Sequence, residues 1–154
     1  SIVADLGAGT VYYSVALGAL VPKGKIYAVE LQKDFLDTIK KKVSEARLNN
    51  VEIILGDVEK LGGTKIGDEV VDAVIASNIL FQVEDKENFI EEIRRILKPK
   101  GRVLLIDWSG LSIMSGNNII PKDKAREMFE KKNFTVDKEI DAGDHHYGMI
   151  LNRR

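Results

Sequence analysis

The sequence predicts an α/β fold, with a mostly parallel sheet covered on both faces and a closing antiparallel hairpin. Three observations carry this expectation. Short, nearly continuous apolar runs alternate with segments whose apolar residues recur at helical spacing. A two-glycine turn, Gly7-Ala8-Gly9, joins the first apolar run to the first helical segment. The tail holds two strand-like stretches separated only by Asp141-Ala142-Gly143-Asp144, a gap too short for a helix.

Taken in order, the expected parallel strands are 2–6, 25–30, 51–55, 70–76 and 101–108, and the expected helices are 10–21, 34–48, 86–98 and 121–132. In the second helix Phe35, Leu36, Ile39, Val43 and Ala46 fall on one face, with Asp34 offered as an N-cap. In the third, Phe89, Ile90, Ile93, Ile96 and Leu97 follow Asp85, and Pro99 to Gly101 stop the helix. Pro121 suits the first position of the fourth helix, ahead of Ala125, Met128 and Phe129. The glycine-rich stretch Glu59 to Glu69 reads as a loop with a poor helix, and Phe134 to Ile140 with His146 to Asn152 form the hairpin.

A buried strand that turns tightly into a helix makes a nucleotide-binding corner. Glycine lets backbone approach a ligand closely, and the helix start offers free N–H groups. Glu30 ends the second strand about twenty residues on, where such folds place an acid on ribose hydroxyls. The dinucleotide form of the corner calls for a glycine three residues after Gly9. That position holds Tyr12, which disfavours a nicotinamide or flavin dinucleotide.

Asp5, placed directly before Leu6-Gly7, carries a more specific likeness. The segment Val3 to Thr10 resembles motif I of class I S-adenosylmethionine-dependent methyltransferases, an acid followed by Gly-x-Gly-x-Gly. Glu30 fits that family's acid after strand two, and Gly56-Asp57-Val58 fits its acidic turn after strand three. Val71 to Leu80 fits strand four and its loop, and Leu97 to Ile106 fits the joint into strand five. Within the family the chain looks most like the small-molecule and quinone-type enzymes. The resemblance implies a Rossmann-like, doubly wound, seven-stranded sheet with S-adenosylmethionine as cofactor. It further implies cofactor contacts at Asp5, Gly7, Gly9, Glu30, Leu31, Asp57, Val58 and Asn78. Two departures stand out. Val11 occupies the place of the third glycine, and Phe81 and Gln82 stand where relatives often carry histidine.

Each of these residues also has a plainer reading. Asp5 either touches the cofactor or only supports the turn. Asp57 either meets the adenine or caps a short helix, and Asn78 either contacts ligand or caps a turn. Trp108 either lines a substrate pocket or closes the core. His145 and His146 read as surface residues of the hairpin, and Lys40-Lys41-Lys42 and Lys131-Lys132 as solvated helix faces.

Composition bounds the rest. The chain has 154 residues, 44% hydrophobic and 31% charged, which suits one globular domain over 1–154. A net charge of −1 gives no field favouring nucleic acid, and the absence of cysteine excludes disulfides and thiolate metal sites. No apolar run is long enough to span a bilayer, so a cytoplasmic location is the default expectation. The sequence begins at strand one, whereas the family usually carries helices before it. The expectation is therefore either a fragment or a minimal core whose open end exposes apolar surface and favours self-association. The leading function is methyl transfer to a small-molecule acceptor. A cofactor-binding module inactive alone, or dependent on a partner, and an NAD-binding oxidoreductase remain as alternatives.

Overall fold

The apolar runs pair side by side into one seven-stranded sheet, because each is flanked by neighbours that satisfy its backbone and by helices that cover its side chains. The computed structural model describes residues 1–7, 12–109 and 119–154, with Tyr12 and Tyr13 described by backbone alone. Gly9 and Val11 therefore lie outside the described residues.

The elements run β1 (Ile2–Leu6), α1 (Tyr12–Leu20), β2 (Lys25–Glu30), α2 (Lys33–Glu45), β3 (Val51–Leu55), β4 (Val71–Ser77), α3 (Lys86–Ile96), β5 (Leu97–Trp108), α4 (Lys122–Glu130), β6 (Phe134–Ile140) and β7 (His146–Arg153). Their order across the sheet is β3-β2-β1-β4-β5-β7-β6. The first five strands are parallel, and β7 pairs antiparallel with both β5 and β6. This is the mostly parallel, Rossmann-like sheet with a C-terminal hairpin that the sequence predicts. Chain order reverses between β1 and β4, and such a reversal opens a crevice at the carboxyl ends of the strands.

The larger core lies on the face covered by α3 and α4, where Phe89, Ile93, Ile96, Phe129 and Phe134 pack on Val74, Val103 and Leu105. Phe129 and Phe134 meet edge to face with ring centroids 5.4 Å apart. On the opposite face a smaller cluster joins Ala28 of β2 to Ile39 and Val43 of α2.

Several local expectations are corrected. Helix α2 begins at Lys33 after an extended Gln32, so Asp34 sits inside the first turn and not at the cap. An acid there still faces the positive end of the helix dipole. The same helix ends at Glu45, because Arg47 turns to a φ of 55°. Asp85 does cap α3, its side chain accepting the Asn88 amide. That helix stops at Ile96, and Leu97 already pairs with Val71 at the start of β5. Residues 98–101 bulge out before the pairing resumes at Ala73 and Arg102. Pro121 is the cap of α4 rather than its first helical residue. Between β3 and β4 no helix forms, and residues 59–69 cross over as successive turns.

Candidate functional site

A cleft of ≈ 460 Å³ opens at the carboxyl ends of β1, β2, β3 and β4, where the strand order reverses. Gly7, Glu30, Leu31, Asp57, Val58 and Asn78 all line it. Of the remaining residues expected at the cofactor, Gly9 lies outside the described residues and Asp5 is not among the lining residues. Trp108 is not among them either.

The Gly7 amide donates to the Val29 carbonyl at 2.9 Å, which locks the end of β1 onto β2. Gly7 has a φ of 69°, and a Cβ there would lie 2.5 Å from Ile79 Cδ1. Only glycine takes this conformation without strain, and its missing side chain keeps the cleft floor low. Glu30 is 8% exposed, and its Oε2 accepts the Leu31 and Gln32 amides at 2.8 and 2.9 Å. The carboxylate is thus fixed by its own chain, and Oε1 takes no part in these bonds. Leu31 and Phe35, both exposed, form an apolar rim beside it.

Asp5 lies behind the cleft lining. It is 4% exposed, and its Oδ2 accepts the Ser14 hydroxyl at 2.7 Å, tying β1 to α1. Burial raises its pKa to about 6 against the lowering effect of Ser14, and the nearby Glu30 charge adds to the rise. This bond to Ser14 is the kind of contact that the supporting reading calls for.

The Asp57 turn is built by two interactions that sequence reasoning missed. Asp57 Oδ1 accepts the Glu59 amide at 2.9 Å, and the Asp57 amide donates to the Gly63 carbonyl at 3.1 Å. Gly63 approaches so closely that a Cβ on it would lie 1.9 Å from the Asp57 carbonyl oxygen. Glu59 then reaches across the cleft wall, its Oε1 accepting the Glu84 and Asp85 amides at 2.7 Å each.

Behind this turn sits the fully buried Glu92 of α3. It accepts the Gly62 amide, the Thr64 amide and the Thr64 hydroxyl at 2.9, 3.1 and 2.7 Å. Arg95 pairs with the same carboxylate at 2.8 Å and with Asp68 at 2.7 Å. Burial alone would raise the Glu92 pKa, but Arg95 and the Gly62 and Thr64 donors outweigh it and hold it at about 2. A sequence signal existed. Position 92 is three residues after Phe89 and four before Ile96, so it falls on the buried stripe of α3.

Asn78 follows β4 in the left-handed region at φ 55°, and its amide donates to the Ile106 carbonyl at 2.8 Å. Its Oδ1 is buried without a hydrogen-bond partner among the described residues. Gln82 donates from Nε2 to the Asn78 carbonyl at 2.9 Å, so this side chain braces the loop. Farther along β5, Asp107 is fully buried and accepts the Leu80 and Trp108 amides at 2.9 and 2.8 Å. Burial raises its pKa against those bonds. Trp108 is half-buried and stacks on His146, with centroids 4.2 Å apart. His145 is exposed as expected, whereas His146 is drawn into this contact. The Lys40–Lys42 run is exposed on α2, and Lys131 and Lys132 pair with Glu127 and Glu91.

Residues 4–105 match the methyltransferase-domain family over about two thirds of the chain. The chain belongs to that family, within the class I S-adenosylmethionine-dependent methyltransferases. A demethylmenaquinone methyltransferase from a Geobacillus strain is 30% identical over 106 residues, covering 68% of this chain and 44% of that protein. The chain thus spans less than half the length of this curated relative. In three dimensions it is similar to a SAM-dependent methyltransferase from Aquifex aeolicus, with TM-score 0.90, 24% identity, and 99% and 82% of the two chains covered. It also shares its fold with the methyltransferase CalH, solved with S-adenosylhomocysteine (TM-score 0.82, 17% identity, 99% and 51% covered). No helix among the described residues is long and apolar enough to cross a membrane.

Proposed function

We propose that this chain binds S-adenosylmethionine in the cleft and directs its methyl group to a small-molecule acceptor of the quinone type. The single observation that carries the reading is the placement of Glu30. A nearly buried carboxylate at the end of β2, held by two backbone amides, leaves Oε1 for the hydroxyls of a ribose. Gly7 gives room for backbone approach, the apolar rim of Leu31 and Phe35 suits a purine face, and the unpartnered Asn78 Oδ1 suits a donor on the ligand. The donor set therefore fits the cofactor. In this reading Val58 packs against the purine and Asp57 faces its amino group, and Gly9 is kept as a further cofactor contact. The cofactor supplies an already activated sulfonium methyl. The chain contributes alignment and exclusion of water, which are worth about 7–11 kcal/mol when geometry is good.

The quinone-type acceptor rests on the name of the curated relative. One domain spanning 1–154, a cytoplasmic location and no nucleic-acid partner complete the proposal. Self-association belongs with it, and light scattering showing a clean monomer with tight cofactor binding would sink that part.

Calorimetric titration with S-adenosylhomocysteine and with NAD tests the reading. The homocysteine compound is expected to bind and NAD to fail. Glu30→Ala is expected to weaken binding by about 1.5–3 kcal/mol, the size of a hydrogen bond to a charged group. An unchanged dissociation constant, or preferential binding of NAD, refutes the assignment.

A further inference from the structure

Strands β5 and β7 run antiparallel, and their register sets Trp108 opposite His146 at the carboxyl end of β5. Side chains alternate along β5. Val103, Leu105 and Asp107 are buried toward the α3–α4 core, and Leu104, Ile106 and Trp108 are half-buried on the other face. Tyr147 and Asp107 pair on the core side, the tyrosine hydroxyl donating to the Ile120 carbonyl at 2.9 Å. The indole–imidazole pair therefore stands on the sheet face away from these acids, with the exposed His145 as its titratable neighbour.

This pair is close to the cleft. The Asn78 amide bonds to Ile106, two residues before Trp108. With a rise of about 3.3 Å per residue and strands about 4.8 Å apart, Trp108 lies about 7 Å beyond that level and His146 about 10 Å across from β4. Those spans put the pair near the edge of the cleft at Asn78.

The imidazole is not internally satisfied. His146 Nε2 is closed from solvent and has no hydrogen-bond partner among the described residues. A buried polar atom left this way gains when a ligand supplies its partner. Burial, with His145 close by, lowers its pKa below the usual histidine value, and a neutral imidazole has one nitrogen that accepts.

We propose that His146, stacked on Trp108, is a specificity-determining residue of the acceptor side, its Nε2 accepting a hydrogen bond from a hydroxyl on a flat aromatic acceptor that packs beside the indole. The inference rests on the methyl-transfer reading given above. Aromatic rings stack offset or edge-on, and the half-buried indole presents such a surface. The approach requires the imidazole to turn about one side-chain bond, bringing Nε2 to the incoming hydroxyl. An acceptor without a hydroxyl leaves the nitrogen unpaired, and selection follows from that penalty.

The test uses 2-naphthol and 2-methoxynaphthalene as probes, titrated into the full chain and followed by NMR. The chain has one tryptophan and two histidines, so the Trp108 indole N–H is unique and His145→Gln assigns the His146 ring signals. The expected result is saturable movement of both the Trp108 and His146 signals by 2-naphthol, with the methyl ether binding about three- to tenfold more weakly. His146→Phe retains a flat stacking ring and removes the nitrogen. It is expected to bring naphthol affinity down to that of the ether while leaving S-adenosylhomocysteine affinity unchanged. Equal affinities of the two probes for the parent chain, an unmoved His146 signal, or unchanged naphthol affinity in His146→Phe each overturn the proposal. If that variant fails to fold, the comparison of the two probes on the parent chain decides. Failure of the parent to bind S-adenosylhomocysteine would instead strike the methyl-transfer reading, and the naphthol result would still report on His146 alone.

Discussion

Glu92→Gln is expected to unfasten the crossover that carries the Asp57 turn. The parent carboxylate holds the Gly62 amide, both donors of Thr64 and the Arg95 guanidinium. Its pKa falls from 4.5 to about 2. That drop of about 2.5 units corresponds to about 3 kcal/mol at 1.36 kcal/mol per unit. Arg95 is 24% and Asp68 78% exposed, and solvent screening on that side reduces the figure to about 2 kcal/mol. A loss of this size leaves an ordinary domain folded but loosens one wall of the cleft. Urea unfolding of parent and variant at about pH 7, 5 and 3 measures it. The sign follows from the direction of the shift. Because the folded-state pKa is depressed, the stabilisation is fully present above 4.5 and is lost as pH falls toward about 2. The gap between the two proteins should be full at the two higher pH values and narrower at the lowest. A gap below about 0.5 kcal/mol at neutral pH, or one that stays constant on acidification, would refute the assignment of Glu92 as the crossover's anchor.

Three shorter expectations accompany it. Asp5 has its pKa raised from 3.8 to about 6, so its contribution is favourable in acid and is lost as pH rises through the folded value. Asp5→Asn does not titrate, and relative to the parent its stability should improve by up to about 3 kcal/mol between acid and neutral pH; a flat difference in urea unfolding would contradict this. Gly63→Ala places a methyl group against the Asp57 carbonyl oxygen. Its cost should be about 1–3 kcal/mol of stability together with weaker S-adenosylhomocysteine binding, and parent-like calorimetry would refute the fit of that turn. Gly7→Ala should lose about 1–2 kcal/mol of stability because its φ of 69° suits only glycine, and an unchanged unfolding midpoint would show that the corner tolerates a side chain.

What was legible in the sequence was whatever local pattern decides. Strands β1, β2, β3 and β6 begin and end at the expected residues; in β1 and β2 the buried apolar run sets the bounds, since a buried strand needs side chains that tolerate burial. Glu30 was legible because a carboxylate closing such a run stands at the mouth by geometry. The start of β5 was not, because Lys98-Pro99-Lys100 reads as a helix stop while Leu97 is held by β4, a partner distant in sequence. The partner of Asp5 was open because it depends on how α1 packs. Only the packing of α1 brings Ser14 under it. The Glu92 anchor and the tilt of His146 onto Trp108 join residues about thirty or more positions apart, and no window along the chain contains both partners.

Strand β7 is the last in the chain yet sits between β5 and β6, so its first residue, not its last, reaches the mouth of the sheet. The wall near Glu30, Asp57 and Asn78 comes from the early and middle chain, while His146 arrives from a turn that takes no part in it. The family match ends at residue 105, before Trp108 and the whole hairpin. The molecule is thereby divided like a tool with a fixed handle and an exchangeable bit. A substitution in the 141–146 turn changes one side of the mouth and leaves the pairings among β1, β2, β3 and β4 on the other side as they are.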